Sequence, residues 1–163
     1  MSKTKLIAIC GGSGELKALL QQIVSGYDEQ NYVVKDVAEL PVVPEELEPA
    51  VLVGPSDFKY APLFEAHVVD YGQFVKRTFR QGRVFTYSSE NGYADFVARK
   101  TTLSVSKKDA LEIISNGIIG RVRWEGWKDE DVLPALAAAT AAVACGIPFA
   151  RVLDALNHIS MRS

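Results

Sequence analysis

Read as a string of apolar and polar positions, the chain starts with a short unbroken apolar run, LIAIC at residues 6–10. The run stops at glycines and predicts a buried β-strand. Leu16, Leu19, Leu20, Ile23 and Val24 then recur at helical spacing, so a helix with one apolar face is expected, and Gly26 is placed to end it. Residues 32–40 predict a second strand, the proline-rich stretch 41–49 a surface connector, and 50–53 a short strand closed by Gly54-Pro55. Residues 56–62 show no period. A strand at 64–69, a helix at 71–81 with Phe74, Val75, Thr78 and Phe79 inward, and a strand at 83–87 follow. Strand alternating with helix argues for an α/β fold: a mainly parallel, Rossmann-like sheet with right-handed crossovers and flanking helices.

The pattern then changes. Residues 94–104 predict a strand, and 110–124 carry Asn116-Gly117 between two apolar arms, the strongest short signal for a tight hairpin. A small antiparallel sheet, or an antiparallel extension of the first one, is expected here. Asp131 is placed to cap the next helix, with Pro134 in its first turn. Leu133, Leu136, Ala137, Thr140, Ala141 and Ala144 are its expected packing face. Gly146-Ile147-Pro148 separates it from a last helix with Phe149, Val152, Leu153 and Leu156 inward, so the chain closes on a helix pair.

Composition changes this picture little. The 163 residues are 48% hydrophobic and 23% charged, which suits one globular domain spanning 1–163. A formal net charge of −2 offers no electrostatic case for nucleic acid or an anionic membrane surface. No apolar run approaches the roughly 18–20 residues of a membrane span, and the start MSKTKLIAIC does not read as a signal peptide. Two cysteines, Cys10 and Cys145, are expected as buried thiols in a cytoplasmic protein.

The candidate chemistry lies first between the opening strand and helix. Gly11, Gly12, Ser13 and Gly14 either cradle a phosphate through their backbone N–H groups or form a tight turn whose glycines only permit close packing. Glu15 favours the turn, because a carboxylate in the first turn itself stabilises the helix. A dinucleotide reading is weaker: the loop has no third glycine, although Asp36 lies about 20 residues on. His67, Asp70, Asp57 and Tyr71 could meet near strand ends, but His67 sits within a strand and reads equally as a packed histidine. No Cys, His or Asp spacing makes a metal motif. Arg121, Arg123, Trp124, Trp127 and Lys128 form a basic–aromatic cluster, read as a partner patch or, preferably, as a strand with arginines on its wet face and tryptophans inward.

Two stretches, KLIAICGGSGELKALLQQI and GRVRWEGWKDEDVLPALAAATAAVACGIPFARVLDALNHI, together resemble the central ATP-binding domain of the Mur ligases. The piece between them, HVVDYGQFVKRTFRQGRVFTYSSENGYADFVARKTTLS, is similar to that domain in order and spacing. The resemblance implies a Rossmann-like nucleotide domain, and the departures from it bear directly on function. The family's loop reads Thr-Gly-Thr-Asn-Gly-Lys-Thr; here its phosphate-binding lysine falls on Glu15 and its magnesium-binding hydroxyl on Leu16. A carboxylate about 4 Å from a phosphate charge costs roughly 4 kcal/mol at an effective dielectric near 20, and Leu16 offers magnesium no oxygen. The family's histidine and two asparagines align with Glu130, Asp131 and Pro134, none of which keeps the imidazole or amide. Residues 40–64 leave little room for the usual acidic magnesium site and lysine-bearing helix, and the flanking ligase domains have no counterpart.

The same loop, GGSGELKA, also resembles the GGSGSGKT loop of uridine-kinase-like P-loop proteins. That alignment puts Lys17 at the lysine position but Leu16 and Ala18 where a glycine and a hydroxyl are needed. On either alignment ATP and magnesium are not expected as cofactors. The expectation is a non-catalytic, truncated Mur-ligase-like protein that binds a partner protein or a small phosphorylated ligand. The competing readings are an active nucleotide-dependent ligase or transferase with rearranged residues, and a structural homo-oligomer joined through the alanine-rich helix or the hairpin edge.

Overall fold

A computed structural model describes residues 3–11, 14–54, 59–74, 83–103, 109–123 and 128–159. Its centre is an eight-stranded sheet in the order β2-β1-β3-β4-β5-β6-β7-β8. The strands are β1 (Thr4–Ile9), β2 (Tyr32–Asp36), β3 (Leu47–Val53), β4 (Ala66–Asp70), β5 (Arg83–Ser88), β6 (Phe96–Thr102), β7 (Asp109–Ser115) and β8 (Ile118–Arg123). β1 to β6 run parallel, whereas β6–β7 and β7–β8 are antiparallel. The helices are α1 (Gly14–Asp28), the single turn α2 (Tyr71–Phe74), α3 (Val132–Ala144) and α4 (Phe149–His158).

The main core lies where α1, α3 and α4 cover one face of the sheet, with Ile7, Ile9, Val51, Val53, Val68, Phe96, Ala98, Leu111, Ile113 and Val122 pointing into it. From Ala135 to Ala142 α3 is buried on every side, which its small and apolar residues permit: it packs on β3 to β6 beneath α1 and α4. The opposite face carries a smaller cluster, Leu6, Ala8, Leu40, Leu52 and Phe64, under the 3-10 turns Val37–Glu39 and Ala61–Leu63.

Several expectations need correction. Gly26 does not end the first helix; α1 runs on to Asp28, held by its buried face through Val24. The connector 41–49 is not all loop, since β3 begins at Leu47 and includes Pro49. The β1–β3 register shifts there, from Leu6↔Pro49 to Ile7↔Val51, and a bulge accommodates a residue with no N–H to donate. Leu133 is 43% exposed and is not part of the packing face of α3. The carboxylate of Asp131 accepts a hydrogen bond from the Lys128 N–H at 2.6 Å, closing the 3-10 turn before α3 instead of capping α3 itself. The expected helix at 71–81 is described only as far as Phe74, and Val75, Thr78, Phe79 and Gly82 lie outside the described residues.

The turn from α3 to α4 follows its residues closely. Gly146 at φ +103° is the left-handed C′ position; its N–H bonds to Val143 O (3.0 Å) and the Ile147 N–H to Ala142 O (3.1 Å), a Schellman closure.

Candidate functional site at the exit of the first strand

The carboxyl ends of β1 and β3 lie side by side while β2 is displaced to the outer side of β1, so the strand order reverses here. In open α/β sheets this is where a crevice forms. Cys10 donates its N–H to Val53 O (2.8 Å), holding the exits of β1 and β3 together, and Gly54 donates to Val68 O (2.7 Å), tying the exit of β3 to β4. Gly54 has φ +103°, and a Cβ on it would stand 2.9 Å from the Cys10 carbonyl oxygen, so only glycine fits. Of the candidate loop, Gly11 is exposed at φ +58° and Gly14 opens α1; Gly12 and Ser13 lie outside the described residues.

The three residues after the loop define what it can do. Glu15 places a carboxylate in the first turn of α1. Leu16 is 7% exposed and belongs to the main core. Lys17 turns toward β2: its Nζ lies 2.6 Å from Glu39 Oε1 and 3.3 Å from Asp36 Oδ2. The hydrogen bond to Glu39 raises the Lys17 pKa above its ordinary value and lowers that of Glu39. Glu39 also accepts from the Asp36 N–H (3.0 Å), so the cluster is tied to the backbone at the end of β2. Asp36 therefore ends the strand beside β1, as a dinucleotide site requires, but its carboxylate faces Lys17.

The other candidates are not gathered into one site. His67 lies in the middle of β4, 7% exposed, its pKa lowered by burial. Asp70 ends the same strand three residues on, hence on the opposite face, and its Oδ1 accepts from the Gly72 N–H (2.8 Å). Its partner in register is Tyr87, whose pKa is pushed up to about 12 by burial, with Asp70 adding to it. Tyr71 opens α2, and Asp57 lies outside the described residues. Glu130 is exposed and 3.9 Å from Lys128, Asp131 is 6% exposed, and Pro134 is inside α3. Among the described residues no group of His, Cys, Asp and Glu is arranged to hold a metal ion. Neither cysteine forms a disulfide; Cys145 is buried, which pushes its pKa up to about 11, while Cys10 is only half-buried.

Of the basic–aromatic cluster, Trp124 and Trp127 lie outside the described residues. Arg121 does more than line a wet face. Its Nε donates to Glu112 Oε2 (3.0 Å), and Arg99 Nε donates to Glu112 Oε1 (2.9 Å) from the other side. Sequence reasoning missed this ladder. The signal was a lone glutamate in the apolar arm ALEIIS, which the Asn-Gly hairpin register sets opposite Arg121. A cleft of about 420 Å³ lined by Gln21, Ser25, Glu29, Tyr32 and Lys35 opens beside α1 and β2, away from the strand exits.

Arrangement and topology together define a Mur-ligase-like fold. Among solved structures, the chain is similar to UDP-N-acetylmuramoylalanyl-D-glutamyl-2,6-diaminopimelate–D-alanyl-D-alanyl ligase from Acinetobacter baumannii, with a TM-score of 0.68 and 14% identity over 96% of this chain and 46% of that one. It is also similar to UDP-N-acetylmuramoyl-L-alanyl-D-glutamate–2,6-diaminopimelate ligase, at a TM-score of 0.66 and 12% identity over 97% of this chain and 47% of that one. A third is UDP-N-acetylmuramate:L-alanyl-gamma-D-glutamyl-meso-diaminopimelate ligase from Neisseria meningitides, at a TM-score of 0.64 and 13% identity over 99% of this chain and 67% of that one. The chain spans less than half the length of the first two. No family model and no curated protein matches the sequence. Among the described residues, no helix is long and apolar enough to cross a membrane.

Proposed function

We propose that this chain is a non-catalytic protein of Mur-ligase-like fold, which binds a small phosphorylated ligand at the glycine loop or a protein partner. The reading is carried by Lys17, the first cation after the loop, whose ammonium is held by Asp36 and Glu39. Glu15 and the buried Leu16 precede it, at the positions where the resemblance calls for a lysine and a hydroxyl. A loop with this continuation keeps backbone N–H groups for an anion but lacks the side chains that neutralise a nucleotide triphosphate and hold its magnesium.

The test is isothermal titration of the purified chain with ATP, with and without magnesium, beside UDP-sugar peptidoglycan precursors. The expected outcome is silence for Mg-ATP; heat from a precursor would identify the ligand. Micromolar Mg-ATP binding with turnover would overturn the reading and establish a ligase or transferase with rearranged residues. The double variant Glu15→Lys/Leu16→Thr should gain Mg-ATP affinity if those two positions are what the loop lacks.

A further inference from the structure

We propose that the face of β6, β7 and β8 which the described helices leave uncovered docks an acidic–apolar segment of a partner protein. α3 and α4 cover one face of these strands, through Phe96, Ala98, Leu111, Ile113 and Val122. The residues between them point the other way. Register places these in rows across the three strands: Val97↔Ile114↔Ile119, and next to it Arg99↔Glu112↔Arg121. Ile119 is 50% exposed, and the two arginine side chains are 62% and 61% exposed, while the glutamate between them is only 5% exposed.

The charge balance of the ionic row is what calls for a partner. One guanidinium would neutralise Glu112; two flank it, and each commits only its Nε. A guanidinium carries five N–H donors in a rigid fork. Among the described residues neither guanidinium has another hydrogen bond or ion pair, so each keeps its two Nη groups for an acceptor. Glu112 accepts from both and is acceptor-only, which fixes the two guanidiniums about one centre. The row is thus a cationic pair already oriented, on a chain whose formal net charge is −2. Carboxylates are the acceptors such forks fit in two-point geometry.

The apolar row sets the rest of the partner's chemistry. Neighbouring rows on one face are two residues apart, about 7 Å. A partner matching both rows carries an aliphatic residue about 7 Å from an acidic one, as at i and i+2 of a strand or i and i+4 of a helix. This deepens the partner arm of the proposed function and rests on it. The nucleotide titration reads the loop after β1, on a different part of the sheet, so the two experiments can fail separately.

The experiment uses the full chain and a labelled octapeptide, Leu-Leu-Glu-Glu-Leu-Leu-Glu-Glu, which as a strand carries leucine and glutamate at i and i+2 on each face. Fluorescence polarisation gives affinity, and amide chemical shifts give the location. Expected results are shifts confined to β6–β8, loss of binding in about 0.5 M salt, and at least about tenfold weaker binding when glutamine replaces glutamate in the peptide. The triple variant Arg99→Gln/Glu112→Gln/Arg121→Gln removes the charges together, so no buried carboxylate is stranded, and should bind at least about tenfold more weakly. If the triple variant does not fold, Arg99→Lys/Arg121→Lys serves instead: it keeps the charge, loses the fork and should still weaken binding. Four results overturn the proposal: no binding up to about 1 mM, equal affinity for the glutamine peptide, shifts elsewhere on the molecule, or tighter binding of a single-stranded oligonucleotide.

Discussion

The parallel and antiparallel parts of this sheet solve burial in opposite ways. In β1 and β4 consecutive residues are buried on both faces, Leu6 to Ile9 and Ala66 to Val69, because helices cover one face and loops the other. In β8 burial alternates, with Gly120 and Val122 inward and Ile119, Arg121 and Arg123 outward. A parallel strand covered on both sides presents only its carboxyl end to a ligand, whereas an antiparallel strand with one bare face presents a surface. The two candidate sites follow that division. The glycine loop is at a strand exit, and the arginine ladder is on a sheet face.

The largest expected effect tests whether the two parts fold as one. Leu136 is fully buried in α3, which packs on β3 to β6 and so spans both. Leu136→Ala should cost about 2–5 kcal/mol, with a single cooperative transition in circular dichroism and in tryptophan fluorescence. Two separated transitions would show that the antiparallel part folds independently of α3.

Next is Glu112→Gln, expected to cost about 1–3 kcal/mol because both guanidiniums lose a charged acceptor. Hydrogen bonds from Arg99 and then Arg121 lower the Glu112 pKa below its ordinary 4.5. A carboxyl with a depressed folded value contributes its full stability above about pH 4.5 and loses it as the pH falls through the folded value. Denaturant midpoints between pH 7 and pH 3 should therefore fall more steeply for the wild type than for the glutamine variant. Parallel slopes would mean that the ladder adds nothing to folding.

The same division explains what was legible in the sequence. Asn116-Gly117 was decisive: φ of +52° and +79° are those of a tight primed turn, and that turn fixes the register of the hairpin. The buried runs of the parallel part announced strands, and the Mur-ligase-like fold was within reach of their order. The entry to β6 was less visible. It runs parallel to β5 without a crossover helix between them, stepping sideways through a loop held by reciprocal bonds: Thr86 N–H to Asp95 Oδ2 (2.8 Å) and Asp95 N–H to Thr86 Oγ1 (3.0 Å). No period marks such a step. Around the site, the sequence located the loop but not the destination of Lys17, since nothing local says that its ammonium reaches past its own helix to Glu39.

A smaller effect concerns the outer edge of the antiparallel part. Asn157 of α4 accepts from the Arg123 N–H through Oδ1 (2.9 Å) and donates Nδ2 to Arg121 O (3.2 Å), standing in for a ninth strand. Asn157→Ala should cost about 0.5–1.5 kcal/mol. By freeing two edge groups beside Ile118 and Ile119, which are 61% and 50% exposed, it should also make sedimentation concentration-dependent. A variant as monodisperse as the parent would show that the edge is protected by something other than this amide.

The smallest effect belongs to the parallel part, and it separates structure from binding most cleanly. Lys17 ties α1 to the end of β2 through two carboxylates that are over 40% exposed, so Lys17→Met should lower Tm only slightly, with the difference removed by about 1 M salt. The pH dependence has two limbs. The raised Lys17 value gives a contribution lost only as the pH rises through it above 10.5, and the lowered Glu39 value gives one lost as the pH falls below 4.5. Between those limits the variant and the parent should differ by a constant amount. The same protein is then titrated with any ligand found for the loop. Unchanged affinity is expected, because the ammonium is already engaged by Glu39 at 2.6 Å. An affinity loss of tenfold or more would mean that Lys17 leaves Glu39 when an anion arrives, and the strand exit would then be a working phosphate site with its cation held in reserve.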